Sequence, residues 1–398
     1  MKIVQIEDFF HPDAGYQINI ISKYFVRAGH EVTILTADAA HIPAQLAAFF
    51  GSEDIEARDR AYTGQTGVQI RRLPVRGFVS GRAVFTHAIW RAIRAEQPDV
   101  LFVHGNDTLT AMRALFRLRR LGCPVIMDSH MLEMASRNRF HKIYRRVYRA
   151  VFTPILRRRG ITVIRTQDDP YVTRILGVPE TQTPWISVGS DTLLFRPDPE
   201  ARAAFRAAQD IPSDAFVVLY AGKLDETKGG MLLAEAFREK LEAQRPVVLL
   251  VVGTTADDAY GAAVERALAE SENRVLRFPT QKYADLAPFY QAADAAVYPR
   301  QCSLSFYDAQ ACALPVAFED NNINCGRAAH GNAVTFRSGA AAALRAAVTS
   351  LVDAAPETLS QMRENALQFI RASYDYSVLS DAYLAEIEKT AARRGGRK

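Results

Sequence analysis

In the stretch "YAGKLDETKGGMLLAEAF" two lysines each adjoin a glycine: Gly222–Lys223 closes an apolar run and Lys228–Gly229 opens a helix-like one. Two cations at the mouth of a strand–loop–helix unit can hold a diphosphate, with the helix amino end adding partial positive charge; the alternative is a pair of solvated surface lysines. A second turn of this kind lies in "EDFFHPDAGYQINIISKYFVRAGHEV", where Pro12 and Gly15 lead into a helix whose first N–H groups an anion can approach closely. Taken alone, that turn is equally a plain strand-to-helix connection. "VIMDSHMLEM" ends an apolar run on Asp128 and His130, and "LFVHGND" ends one on His104 and Asn106. A histidine so placed either meets a ligand or serves as an ordinary hydrogen-bonding residue. In "VYPRQCSLSFYDAQACALPV", Asp308 stands where a helix start presents an acid, able to accept protons from two hydroxyls, and Arg300 precedes it by eight residues.

The elements that must position these residues follow a simple rhythm. Short apolar runs such as "KIVQI", "EVTILTA", "VLFVHG" and "PVIMDSH" alternate with helix-period segments near 16–28, 84–95 and 108–121. That is the pattern of a parallel sheet covered on both faces. Residues 42–82 interrupt it and are expected to form an irregular excursion before "VQIRRLPV". The alternation stops near 185 and restarts at "FVVLYAGKL", continuing through helices at 229–243 and 258–270. The expected class is therefore α/β, with two doubly wound Rossmann-like domains facing across a cleft at their strand ends. The boundaries expected are 1–187, 188–376, and a C-terminal segment 377–398 whose helix packs back on the first domain before a basic tail.

At 398 residues, two domains are the natural expectation, and 48% apolar with 23% charged residues is ordinary globular usage. The net charge of +5 and a pI near 9.0 favour an anionic partner. Cys123, Cys302, Cys312 and Cys325 form no CxxC pair and read as buried or incidental thiols of a reducing compartment. The amino terminus opens directly into a strand, and apolar runs such as "VVLLVV" at 247–252 fall far short of a membrane-spanning length. A cytoplasmic protein is expected.

Several ordered motifs resemble the retaining, nucleotide-sugar-dependent glycosyltransferases of family 4, with the GT-B fold. They are the Gly15 loop and helix ending in Gly-His-Glu-Val, "ISVGSDTLLFRPD" through Gly189, Asp191, Phe195 and Pro197, "GKLDETKGG", and "LAPFYQAADAAVYP". The resemblance runs nearly end to end. It implies that Lys223 and Lys228 bind the donor diphosphate and stabilise the charge that develops on it, with Gly15 near the same phosphates. His130 matches the histidine that faces the donor sugar, so His130, Lys223 and Lys228 are the expected catalytic residues. Phe278, Pro279 and Thr280 match the loop whose backbone reads the nucleotide base, and Asp308 matches the acid that binds the ribose. His104, Asn106, Asp128 and Arg300 are candidate acceptor or sugar contacts. Counting back from Asp308 places Arg300 where the family has a glutamate, and the loop is about three residues short. Ser303 and Ser305 are then expected to hold the sugar in its place. No Asp-x-Asp pair occurs, so no metal and no cofactor besides the nucleotide sugar is expected.

Residues 137–159, "RNRFHKIYRRVYRAVFTPILRRR", set Phe140, Ile143, Tyr144, Val147, Val151, Ile155 and Leu156 on one face and Lys142, Arg145, Arg146 and Arg149 on the other, with a break or kink at Pro154. Such a helix either faces the core or lies on an anionic membrane. The expectation is a hexosyltransferase-type enzyme acting on a glycan or lipid-linked acceptor, in surface polysaccharide or lipid-linked glycan synthesis, peripheral on the inner face of a membrane. A nucleotide-sugar epimerase and a catalytically silent nucleotide-sugar-binding subunit are the alternatives. Nucleic acid is not expected, because the basic residues lack an accompanying stacking or groove-reading motif.

Overall fold

The computed structural model describes residues 1–132, 140–300 and 302–392, without the side chains of residues 45 and 48. Arg137 and Arg139 of the basic segment and the basic tail 393–398 lie outside the described residues.

The chain divides into two compact units, Met1–Val188 with Tyr376–Lys398, and Gly189–Asp375. The first contains β1 (Lys2–Ile6), β2 (Glu31–Ala37), β3 (Gln69–Leu73), β4 (Val75–Val79), β5 (Arg82–Phe85), β6 (Val100–Val103), β7 (Val125–Ser129) and β8 (Val163–Arg165). Six of these form a parallel sheet in the order β3-β2-β1-β6-β7-β8, and β4 with β5 makes a separate antiparallel hairpin. The second unit contains β9 (Phe216–Ala221), β10 (Val247–Val252), β11 (Arg274–Phe278), β12 (Ala295–Tyr298), β13 (Val316–Glu319) and β14 (Ala333–Phe336), in the order β11-β10-β9-β12-β13-β14. Both orders are the doubly wound one. In each sheet the winding reverses beside the first strand, between β1 and β6 and between β9 and β12. A ligand crevice is expected beyond the carboxyl ends of those strands.

The reason the apolar runs become central strands is visible in their burial. Every residue of β6, β9, β10 and β12 is enclosed. Both faces of these strands are therefore covered by helices, and each fully buried Val or Leu contributes about 1.5–3 kcal/mol. The helix Tyr376–Ala392 returns to the first unit, packing on the helix Gln17–Arg27 and on β6. Its Tyr383 is fully buried and donates to the Ile186 carbonyl at 2.8 Å.

Several expectations need correcting. Residues 42–82 are ordered, with helices Ala44–Phe50 and Ile55–Thr66, β3 and most of the hairpin. The second of these helices has only Ile55 and Asp59 buried; it is held by polar contacts rather than an apolar stripe. Arg72 makes a fork to both Asp59 oxygens at 2.6 and 2.9 Å, and Tyr62 donates to the Asn19 carbonyl. The helix expected at 229–243 ends at Ala236. The basic segment does not divide at Pro154, which sits in the first turn of Thr153–Arg159. Instead the helix widens over Tyr148–Phe152 into i→i+5 turns between His141–Val147 and Thr153–Arg159. The extra residue shifts the helical phase. The single apolar face is thereby split: Tyr148 and Leu156 turn inward, while Ile143, Val147 and Val151 stay outside.

Candidate functional site

In the second unit the loop after β9 carries Lys223 and Lys228. The loop's own hydrogen bonds set its course: Asp225 accepts from the Lys228 amide at 2.9 Å and from the Thr227 hydroxyl at 2.6 Å. Two glycines then let it lie against β12. Gly229 has φ +78° and its missing Cβ would sit 3.0 Å from Pro299 and 3.1 Å from Arg300, while a Cβ on Gly230 would meet the Leu224 carbonyl at 2.6 Å. Side chains larger than hydrogen would push the loop off. Lys228 Nζ donates to the Cys302 carbonyl at 2.9 Å. Burial lowers the pKa of both lysines, against the pull of Asp225, and for Lys228 the neighbouring Lys223 and Arg327 lower it further. Crowded, half-buried cations are stabilised by an incoming anion, which is what a diphosphate supplies.

The same edge receives the loop after β12. Arg300 packs on Gly229 and donates to the Glu226 carbonyl at 3.4 Å, so it braces the lysine loop rather than standing in a catalytic carboxylate's place. The Ser303 carbonyl accepts from Arg327 at 3.2 Å and the Ser305 carbonyl from Tyr298 at 2.7 Å. Asp308, in the helix Ser305–Ala311, is 7% exposed; it accepts from the Ser190 hydroxyl at 2.7 Å and from Tyr283 at 3.4 Å. Burial pushes its pKa up to about 7, opposed by those two hydrogen bonds and assisted by Asp191. At the end of β11, the Phe278 ring lies 5.0 Å from Phe289, and its carbonyl accepts from the Gly253 amide. The Thr280 amide donates to Thr254 and the Pro279 carbonyl accepts from Gln281. These backbone groups are thus already engaged within the unit.

In the first unit the sequence candidates separate into two kinds. His104 is enclosed, with Nδ1 2.7 Å from Asp128 and Nε2 2.7 Å from Gln5. Asn106 is enclosed and donates to the Tyr148 hydroxyl at 2.9 Å. Asp128 is fully buried, holding His104, the Gly105 amide and, at 3.4 Å, His130 Nε2. His104 and Asp128 are enclosed in internal bonds, whereas the Asn106 Oδ1 is buried with no partner among the described residues. His130, whose side chain is 44% exposed, is the member of the group that opens outward, steadied by Asp128 and by Thr166 at 3.2 Å. Burial lowers its pKa, but the Asp128 charge and hydrogen bond more than reverse this and raise it. His104, Asp128 and His130 place ligand-type atoms within 4.8 Å of one another. Both His104 nitrogens have hydrogen-bond neighbours, Asp128 on one side and Gln5 on the other. Gly15 lies just before the helix Gln17–Arg27, whose N-cap residue Tyr16 offers no side-chain cap, while the Asn19 amide donates to the Tyr16 carbonyl at 2.9 Å.

Pairwise contacts across long sequence separations were missed from the sequence. At the end of β1, Asp8 is 6% exposed, with the Ala83 amide and Arg82 beside its carboxylate but no hydrogen bond of good geometry to either oxygen among the described residues. Burial pushes it up to about 7 against Arg82. Glu7 is pushed up to about 8 by burial and by Asp8 and Asp128. Arg82 pairs with Asp107 at 2.5 Å. The Tyr144 hydroxyl and the Gln17 amide are likewise buried without partners among the described residues. Unsatisfied buried groups of both polarities, collected at a strand end, are suited to a hydroxyl-rich ligand. The one signal available in the sequence was the acid pair Glu7–Asp8 directly after an apolar strand.

Comparison with known proteins adds the following. A family model described as "Glycosyltransferase Family 4" matches residues 15–192, and one described as "Glycosyl transferases group 1" matches residues 215–354. A D-inositol 3-phosphate glycosyltransferase of Segniliparus rotundus is 32% identical over 217 residues, covering 52% of this chain and 46% of that protein. One of Saccharomonospora viridis is 26% identical over 282 residues, 63% of each. The chain spans about half the length of the first curated relatives it matches. Among solved structures, a glycosyltransferase of Rickettsia africae has a TM-score of 0.74 at 14% identity, covering 98% of both chains. Anabaena HepE in complex with UDP and glucose has a TM-score of 0.73 at 16% identity, covering 98% of this chain and all of that one. At these identities the likeness is one of fold.

Proposed function

We propose that this chain, which belongs to glycosyltransferase family 4 and has its GT-B fold, is a retaining glycosyltransferase using a nucleotide diphosphate sugar. In the proposed reaction the bond between the sugar C1 and the diphosphate oxygen breaks. An acceptor hydroxyl oxygen bonds C1 from the same face, and its proton passes to the departing diphosphate. The products are a glycoside and a nucleoside diphosphate.

The observation that carries this reading is the lysine pair at the crevice of the second sheet, where Lys223 and Lys228 are poised for anionic charge. Asp308 is assigned to the ribose hydroxyls, Gly15 to the phosphates, and His130, whose pKa the Asp128 charge raises against burial, to the donor sugar. Loop residues 278–280 are assigned to the base by side-chain or stacking contact, given that the named backbone groups have internal partners. Ser303 and Ser305 are assigned to the sugar, and no metal is part of the scheme. The hydroxyl-rich acceptor is assigned to Glu7, Asp8, Arg82 and Tyr144. The relatives above are named for inositol 3-phosphate, which is consistent with such a polyol-suited cluster. Synthesis of a surface polysaccharide or lipid-linked glycan, at the cytoplasmic face of a membrane, is the proposed setting; no helix among the described residues is long and apolar enough to cross a membrane.

The shortened loop, with its Cys302 carbonyl on Lys228, gives a silent nucleotide-sugar binder as the second reading. Incubation with a panel of nucleotide sugars and membrane extract separates the two. Release of nucleoside diphosphate with one donor is expected, and binding without release would favour the silent subunit.

A further inference from the structure

Residues 108–167 carry fourteen Lys and Arg against two acids, a net charge of +12, whereas the whole chain is only +5 and the remainder therefore −7. The structure gives this segment a direction. Gly122–Pro124 precedes β7 and Gly160–Ile161 precedes β8, so this corner lies at the amino end of the first sheet, opposite His130 and Glu7. A hollow of about 530 Å³ here is lined by Phe116, Arg117, Leu118, Arg119, Arg120 and Arg159. No described acid lies within ion-pair distance of these arginines. Arg117 is braced on the Trp90 ring at 4.9 Å, and a neighbouring hollow adds Arg91 and Arg94.

The helix from His141 to Arg159 leads from the carboxyl edge of the sheet down to this corner. Its outer side is apolar and basic only: Ile143, Val147 and Val151 lie outside together with Lys142, Arg146, Arg149 and Arg157. Phe116 is 62% exposed and Ile143 61%. Phe116 packs edge-on against Phe152 at 5.7 Å, joining the two elements. Five of the eleven exposed large hydrophobic residues among those described fall between 116 and 151, too many in one place for scattered surface residues.

We propose that this face of the first unit docks on an anionic phospholipid bilayer. The outer side chains of the helix and Phe116 enter the headgroup boundary, and the arginine hollow takes headgroup phosphates. Apolar side chains interleaved with unpaired cations fit a surface that is both greasy and negative, whereas a soluble polyanion would leave the aliphatic stripe in water. The proposal deepens the membrane setting inferred above, but its test needs no turnover.

The test is sedimentation of the full chain with vesicles of phosphatidylcholine alone or mixed with phosphatidylglycerol. Binding is expected only with phosphatidylglycerol and should fall with added salt. Two triple variants are compared: Arg119→Glu/Arg120→Glu/Arg159→Glu and Ile143→Ser/Val147→Ser/Val151→Ser. Each basic side chain removed should weaken binding about fivefold, so charge reversal of three should cost at least about 100-fold. The serine variant should lose vesicle binding while binding inorganic polyphosphate as the parent does, with circular dichroism confirming its fold. Sedimentation with phosphatidylcholine alone, no sedimentation with either vesicle, or a serine variant indistinguishable from the parent overturns the proposal; the last would make a soluble polyanion the occupant. Nucleoside diphosphate release, measured separately, reports on the catalytic reading regardless of the outcome.

Discussion

Replacing Asp308 by Asn separates two consequences of one buried carboxyl. Burial raises the group's pKa from 3.8 to about 7, against the hydrogen bonds it accepts from Ser190 and Tyr283. A raised carboxyl binds its proton more tightly in the folded protein than in the unfolded one. Its favourable contribution is therefore complete below about pH 4 and is lost as pH climbs to about 7 and beyond. Roughly three pKa units correspond to about 4 kcal/mol, of which some 2–3 kcal/mol disappears between pH 5 and pH 8. For a unit of this size that is a fall of about 5–10 °C in melting temperature. Asn keeps an oxygen for Ser190 and Tyr283 but cannot ionise, so Asp308→Asn should remove that part of the slope. Glu7 and Asp8 titrate in both proteins, and the difference between the two isolates position 308. Calorimetric melts at the two pH values measure it. Isothermal titration with nucleoside diphosphates should at the same time show about 10- to 100-fold weaker binding, because a charged acceptor for the ribose hydroxyls has gone. An Asn variant with the parental pH slope would refute the burial argument, and one with parental nucleotide affinity would refute the ribose assignment.

Ala313 is held at φ +60°, a conformation that costs a residue with a Cβ about 1–2 kcal/mol. Ala313→Gly should therefore stabilise the second unit by roughly 0.5–1 kcal/mol, read from the denaturant midpoint. Asp128→Asn removes the charge that keeps the His130 pKa raised. The stabilising pair interaction, present below the ordinary histidine pKa and lost as pH rises through the raised one, should vanish, and the His130 titration followed by NMR should move to lower pH. Arg300→Glu should restore no turnover, since the Arg300 side chain lies against Gly229 in a shortened loop; nucleoside diphosphate release above the parent would show the loop is not shortened in the way inferred. Lys228→Ala should weaken nucleoside diphosphate binding by at least about tenfold while leaving binding of the free nucleoside nearly unchanged.

The sheets were legible because a strand buried on both faces must be apolar throughout, as in "VLFV" and "VVLLVV". The lysine loop was legible because Gly229 and Gly230 mark a close backbone approach. The helix Ile55–Thr66 was not, since its anchors are single polar contacts from Arg72 and Tyr62 that leave no periodic trace. His104 and Asn106 carry the same letters whether they face a ligand or an interior partner. Only the positions of Gln5 and Tyr148, 99 and 42 residues away, decide it. Asp8, Arg82 and Asp107 likewise meet only because the hairpin of β4 and β5 is placed beside β1's end. The wide turn at Tyr148–Phe152 shifts the phase between the two halves of the basic helix, which no fixed period anticipates.

The return of Tyr376–Ala392 to the first unit has a consequence for synthesis. The second unit is one unbroken stretch, and on the ribosome it can close as soon as Asp375 has emerged. The first unit has its whole sheet by Arg165, yet the seat for Tyr383, Leu384 and Ile387 stays bare until more than two hundred further residues have been made. Nascent chains therefore carry an apolar groove between the helix Gln17–Arg27 and β6 throughout translation of the second unit. That groove is where a chaperone, or the same groove on a neighbouring nascent chain, would find purchase first.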